Sequence, residues 1–169
     1  YPMPEAQKDR FLIHVTVDYP DEEAEVEIVN LVRNENKQQK NKNDTKSKPK
    51  VTSQATIFKA REEMDKVTVP KDVAKYMVDL IFATRYPERY SYELRSFIHE
   101  GVSPRASIGL DKCVRANAWL NGRSKVTLED VYAMIKSVLR HRIARGERAV
   151  DHNITADDIV DEIIDWVAV

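Results

Sequence analysis

A single cysteine, Cys113, carries all the thiol chemistry available to 169 residues. That excludes an intrachain disulfide and any cysteine-based metal cluster. Its place in a helical apolar pattern predicts a small buried thiol. Glycine is scarce, with four in the chain. A β-rich fold is therefore disfavoured, because tight hairpin turns consume glycine. An excess of either charge is missing too: the formal net charge is −1, so no global field draws the chain to nucleic acid or an anionic membrane. No apolar run approaches the roughly 18 residues of a membrane span. No secretory leader pattern opens the chain, and the expected compartment is the cytoplasm.

What is present fits a charge-rich globular protein. Hydrophobic residues make up 42% and charged residues 33%, and the length suits one domain. The opening Tyr1-Pro2-Met3-Pro4 has no initiator methionine and leads straight toward Phe11-Leu12-Ile13-His14-Val15-Thr16-Val17. The expectation is a chain cut from something longer.

Residues 11–17 alternate loosely and are rich in β-branched side chains, which predicts a strand. Tyr19-Pro20-Asp21 breaks it, and Asp21 can cap a following helix with Glu22 and Glu23 in its first turn. From Arg33 to Lys50 there is no large apolar residue. Such a stretch cannot offset its ordering entropy by burial, so a flexible Lys/Asn-rich insertion is expected at about 34–50. Helical signals resume after Val51. Pro70 opens a segment with Val73, Met77, Leu80 and Ile81 on one face. Ser103-Pro104 is a strong helix start, with Ser at the cap and Pro at the first position. Asn121-Gly122 stops that helix, with Gly122 in the left-handed region. Thr127 to Asp130 and Thr155 to Asp158 read as capping boxes ahead of two amphipathic runs. The predicted fold is mainly α: a small helical bundle with one N-terminal strand. That strand finds no convincing partner in the chain.

Two arginines sit where phosphate chemistry is plausible. Arg105 lies in the first turn of the Ser103-capped helix. A cation there is disfavoured by about 0.3–1 kcal/mol, which an approaching anion would offset. Free backbone N–H groups and a guanidinium would then converge on one phosphate. The plainer reading is a surface arginine bonded to a neighbouring carboxylate. Arg10 directly precedes the predicted strand, and its plainer reading is a partner for Glu5 or Asp9. The four histidines, His14, His99, His141 and His152, show no metal-ligand spacing. Trp119 and Trp166 fall on or beside apolar stripes, and core packing is expected of both.

Taken in order, several strings resemble the MoxR family of AAA+ ATPases. They are Met3-Pro4-Glu5-Ala6-Gln7-Lys8-Asp9-Arg10-Phe11, then Tyr19-Pro20-Asp21, Ala83-Thr84-Arg85 and Gly101-Val102-Ser103-Pro104-Arg105-Ala106. Arg115-Ala116-Asn117-Ala118, Gly122-Arg123, Glu129-Asp130-Val131 and His141-Arg142 continue the series. The resemblance implies that residues 1–20 are the end of an AAA+ core, with the arginine-finger segment and last strand. Residues 21–169 would be the helical lid. By the same resemblance Arg10 looks like the arginine finger, worth roughly 10³–10⁵ in rate, and Arg105 looks like the sensor-2 arginine. Ser103 and Arg85 would assist with phosphate, and Arg85 and Arg123 compete with Arg10 for such contacts. ATP and Mg²⁺ are implied for the intact protein, and no metal site for this piece. The implied partners are the missing N-terminal core, neighbouring subunits of a homo-oligomeric ring, hexameric by resemblance, and a client protein that the ring remodels or activates.

The sequence has no Gly-x-x-x-x-Gly-Lys-Ser/Thr loop and no strand ending in paired acids. This chain alone is therefore expected neither to bind ATP tightly nor to hydrolyse it. A second reading is a helical module binding nucleic acid or protein. It would use the lysines of 37–50 and the cluster Arg140, His141, Arg142, Arg145 and Arg148.

Overall fold

A computed structural model describes residues 3–40 and 51–167. The chain divides into two compact units, residues 16–56 and residues 1–15 together with 57–169. The larger unit begins with a single helical turn, α1 (Glu5–Lys8). The smaller holds α2 (Glu22–Lys40), opened by Asp21, whose carboxylate accepts the Ala24 N–H at 2.8 Å. The helix runs on through residues 34–40, in place of the start of the expected flexible insertion. Lys, Gln and Glu are good helix formers, and that propensity prevails over the lack of an apolar face. The remainder of the expected insertion, 41–50, lies outside the described residues.

The bundle of the larger unit is built from α4 (Lys71–Arg85), α6 (Pro104–Leu120), α7 (Leu128–Leu139) and α9 (Ala156–Trp166), with α3 (Gln54–Asp65) leading in. Leu80, Leu110, Val114, Ile135, Leu139, Ile159 and Ile163 are fully buried among them. They recur at the three- and four-residue spacing of helix faces. The most extensive packing is between α6 and α7. The turn joining them is closed by a Schellman motif. The Gly122 N–H donates to Trp119 O at 2.9 Å and the Arg123 N–H to Ala118 O at 2.8 Å. Gly122 takes φ +70°, the left-handed conformation predicted for it.

Residues 86–101 contain a 3₁₀ turn (Pro87–Arg89), α5 (Tyr92–Phe97) and β1 (Ile98–Glu100). β1 pairs antiparallel with β2 (Ala144–Arg145), and α8 (Glu147–Asp151) follows. The sheet is therefore not at the predicted place. Residues 11–17 form no ladder. Their polar groups go elsewhere: the His14 N–H donates to Ser137 O at 2.8 Å, and Arg142 takes the carbonyls of Phe11 and Leu12. A β-rich composition says that a segment fits a pleated surface, but pairing needs a second strand. Trp166 also departs from expectation. At the end of α9 it stays about half exposed, whereas Trp119 packs against the core and donates its indole N–H to Glu63 at 3.1 Å.

Candidate functional site

The start of α6 is fixed from both sides. Ser103 caps it, its Oγ accepting the Arg105 N–H at 3.2 Å. Just before it, Val102 is anchored to the end of α4. Its N–H donates to Thr84 Oγ1 at 3.2 Å and its carbonyl accepts from Arg85 Nε at 2.8 Å. Gly101 allows this approach, since a Cβ there would lie 2.5 Å from Thr84 O. The Ala83-Thr84-Arg85 string thus has a structural role, holding the loop that presents Ser103 and Arg105.

Onto this helix start comes Asp9, 94 residues away from Ser103 in sequence. Ser103 Oγ meets both carboxylate oxygens, at 3.1 and 2.9 Å, and Arg105 Nη1 reaches Oδ2 at 3.3 Å. Arg142 Nε completes the set on Oδ1 at 3.2 Å. Burial alone would raise the Asp9 carboxyl pKa. The bonds from Ser103 and Arg105 and the charge of Arg142 outweigh that effect, and the pKa lies below the usual carboxylate value.

Arg142 is the hub on the other side. Its side chain is only 3% exposed. Besides Asp9 it donates to the carbonyls of Phe11, Leu12 and Val138. His141, next to it, donates from Nε2 to Phe11 O at 3.1 Å and sets its ring edge-on to His14 at 6.0 Å. Burial, with the Arg142 and His14 charges adding to it, lowers the His141 pKa against the pull of the Phe11 carbonyl. These bonds clamp the N-terminal segment to the end of α7.

Arg10 and Arg105, the two arginines singled out in the sequence, line one cleft of about 160 Å³ with Lys112, Asp9 and Arg142. Four cationic side chains there face one carboxylate. Arg105 keeps 59% of its side chain in solvent. Among the described residues Arg10 makes no side-chain hydrogen bond or ion pair, so Glu5 and Asp9 do not partner it. A larger pocket of about 660 Å³ shares Asp9 and Arg142 with this cleft and adds Ser103, Arg140, His141 and Arg145. The small cleft has room for phosphate groups rather than a whole nucleotide, since ligand pockets usually run to about 300 Å³ or more.

Comparison with known proteins agrees with this architecture. Residues 95–163 match the AAA lid domain family. Chaperone MoxR1 of Mycobacterium tuberculosis is 32% identical over 169 residues, covering 99% of this chain and 42% of that protein. Protein MoxR of Paracoccus denitrificans is 39% identical over 74 residues, 41% of this chain and 22% of that protein. A crystal structure from Cytophaga hutchinsonii, described as a candidate ATPase, superposes with TM-score 0.87 at 34% identity over 99% of this chain and 49% of that one. The chain belongs to the MoxR family of AAA+ proteins. It spans about half, or less, of the length of each of these relatives.

Other predicted residues of this MoxR-family chain have different places. Arg85 does not line the Arg10–Arg105 cleft. It bonds Val102 O and lies over the Phe82 ring, 5.3 Å from its centroid. Arg123, the other residue expected to compete with Arg10 for phosphate, is committed to a buried carboxylate. Both its Nη atoms lie 2.6 Å from the oxygens of Asp130, which is fully buried. Sequence reading missed Asp9 and Arg142 as one unit. Each belongs to a quoted motif, but nothing local says that residues 133 apart form an ion pair. Among the described residues no group of three or more His, Cys, Asp or Glu could hold a metal ion.

Proposed function

We propose that this chain is the nucleotide-sensing lid portion of an AAA+ ATPase of the MoxR type. Arg105 serves as the sensor-2 arginine and Arg10 as the arginine finger. The observation that supports this most directly is their convergence on one cationic cleft at the Ser103-capped start of α6. Guanidinium donors suit phosphate oxygens, and the half-exposed Arg105 side chain is open to them. When ATP and Mg²⁺ are bound in the intact protein they supply phosphoryl chemistry. This chain contributes cations and a capped helix start, with Ser103 setting the helix and Arg85 shaping the loop before it. The intact protein would work as a ring of like subunits, hexameric by family resemblance, in the cytoplasm. It would remodel or activate client proteins, with the lid packed on the nucleotide-binding core of the same protein.

Substitution in the full-length protein tests this. Arg105→Ala should cut ATP turnover strongly, and Arg10→Ala should lower it by roughly 10³-fold or more, as loss of an arginine finger does. Steady-state ATPase rates measure both, and unchanged turnover in Arg105→Ala removes the central assignment.

The nucleic-acid reading loses its basic face. Arg140 pairs with Asp157 at 2.9 Å, Arg142 is buried, Arg145 donates to Ile154 O at 3.0 Å and Arg148 approaches Glu93 at 3.8 Å. Arg140 and Arg142 are taken up by carboxylates within the fold, which weakens this cluster as a face for a phosphate backbone.

A further inference from the structure

The anion that meets Arg105 in this structure is one the chain supplies itself. Asp9 takes the Ser103 hydroxyl, the Arg105 guanidinium and the Arg142 guanidinium together. A phosphate drawn to Arg105 would seek the same donors. The contacts are graded in a way that favours exchange. The Arg105 bond is long, at 3.3 Å, and that side chain is 59% exposed, whereas Arg142 is buried and also holds the backbone of residues 9, 11 and 12. The carboxylate itself is 18% exposed, so an anion in the cleft can reach it.

We infer that Asp9 is a positioning residue that acts as an internal competitor of phosphate. Its carboxylate holds Arg105 and the Ser103 hydroxyl in the absence of nucleotide, and incoming phosphate displaces it from both while Arg142 retains it. The inference rests on the proposed role of Arg105. It adds a link between the two arginines, because Asp9 is bonded in the chain to Arg10. A change in what Asp9 holds turns the residue that carries the finger. Like-charge repulsion gives the exchange its direction, since carboxylate and phosphate cannot share one guanidinium without cost.

The test uses this 169-residue chain and inorganic triphosphate as the probe. In the wild-type chain, NMR follows the Asp9 ¹³Cγ and Arg105 ¹⁵Nε resonances through the titration. Both should move with one midpoint. Asp9→Asn removes the charge and should tighten triphosphate binding by about tenfold, the worth of a competing charge-assisted bond. Adding Arg105→Ala to Asp9→Asn should cancel the gain. An Asp9 resonance that stays fixed overturns the inference, whether or not Arg105 responds. So does an Asp9→Asn chain that binds no tighter. A merely structural Asp9 would weaken binding when replaced, and the wild-type titration does not depend on any variant folding. The two readings also fail separately. If Arg105→Ala abolishes turnover in the full-length protein but Asp9→Asn gains nothing, the sensor assignment stands and the competition falls. If turnover survives Arg105→Ala while Asp9→Asn binds triphosphate more tightly, the competition stands and the sensor assignment falls.

Discussion

Asp130 shows how a single residue can be read correctly and still be undervalued. Its capping position is visible in the sequence because a box is local: the Thr127 N–H donates to Asp130 Oδ2 at 2.9 Å. The rest of its environment is not. Arg123 grips both oxygens, Asn117 Nδ2 donates at 2.7 Å, and no part of the side chain meets solvent. Burial would raise this carboxyl, but Arg123, the Thr127 N–H and Asn117 hold its pKa down to about 2. A carboxylate whose folded pKa is depressed stabilises the fold above its unfolded pKa, and that stability is lost as pH falls through the folded value. The window here runs from about pH 4 down to about pH 2, and the loss is about 2 kcal/mol. Asp9, also depressed, acts in the same direction. Asp130→Asn leaves the Arg123 guanidinium, itself about a third exposed, without its charge partner and should cost about 2 kcal/mol, the same loss as protonation. That corresponds to a melting temperature lower by about 6 °C. Calorimetry at neutral pH measures it, and a shift within about 2 °C would mean that the pair is not a main stabiliser. Between about pH 4 and pH 2 the variant should lose less stability than the wild type, having no carboxylate at 130 left to protonate.

At the scale of elements, sequence reveals what neighbours in the chain determine. Ser103-Pro104, Thr155 to Asp158 and Gly122 each act within about four residues, and each behaves as expected. The Thr155 N–H donates to Asp158 Oδ2 at 2.8 Å, and the Asp158 N–H returns to Thr155 Oγ1 at 3.1 Å. Elements that depend on distant partners are illegible there. β1 exists because β2 lies beside it, and residues 11–17 stay without a ladder because Arg142 and Ser137 take their backbone groups instead. The site divides the same way. The presentation of Arg105 is legible from its cap, whereas the carboxylate it meets comes from the far end of the sequence. Two glycines separate the physical causes. Gly122 has open space around its Cα but φ +70°, so Gly122→Ala should cost about 1–2 kcal/mol through backbone strain alone, and Gly122→Asn less. Gly101→Ala meets Thr84 O at 2.5 Å and must push the loop off α4. It should cost about 1–3 kcal/mol and also disturb the Val102 bonds that set Ser103. Urea unfolding measures both, and only Gly101→Ala should alter the Arg105 NMR signal.

For the whole molecule, the consequential feature is that the cleft is built on the more firmly packed of two units. Asp9 ties the N-terminal segment to α6, Arg142 ties it to α7, and Val102 ties α6 to α4. A change at the cleft therefore has rigid elements to act on. The 16–56 unit has a different character: no described residue of α2 is buried, and Val26, Ile28, Leu31 and Val32 all stand in solvent. Opening free energy follows buried contact, so regions without it exchange their amides at low cost. Hydrogen exchange on this chain should give two classes. Amides of α2 should exchange early through local opening, in spite of regular helical hydrogen bonds. Those of α4, α6, α7 and α9 should exchange last, near the global unfolding limit. The N-terminal residues decide whether the clamp is real. The His14 N–H, bonded to Ser137 O at 2.8 Å, should be protected with the bundle rather than with α2, and Arg142→Ala, which removes the donor to the Phe11 and Leu12 carbonyls, should move it into the fast class. If the His14 amide exchanges as early as those of α2 in the wild-type chain, the Asp9–Arg142 pair does not hold the N-terminal segment in solution.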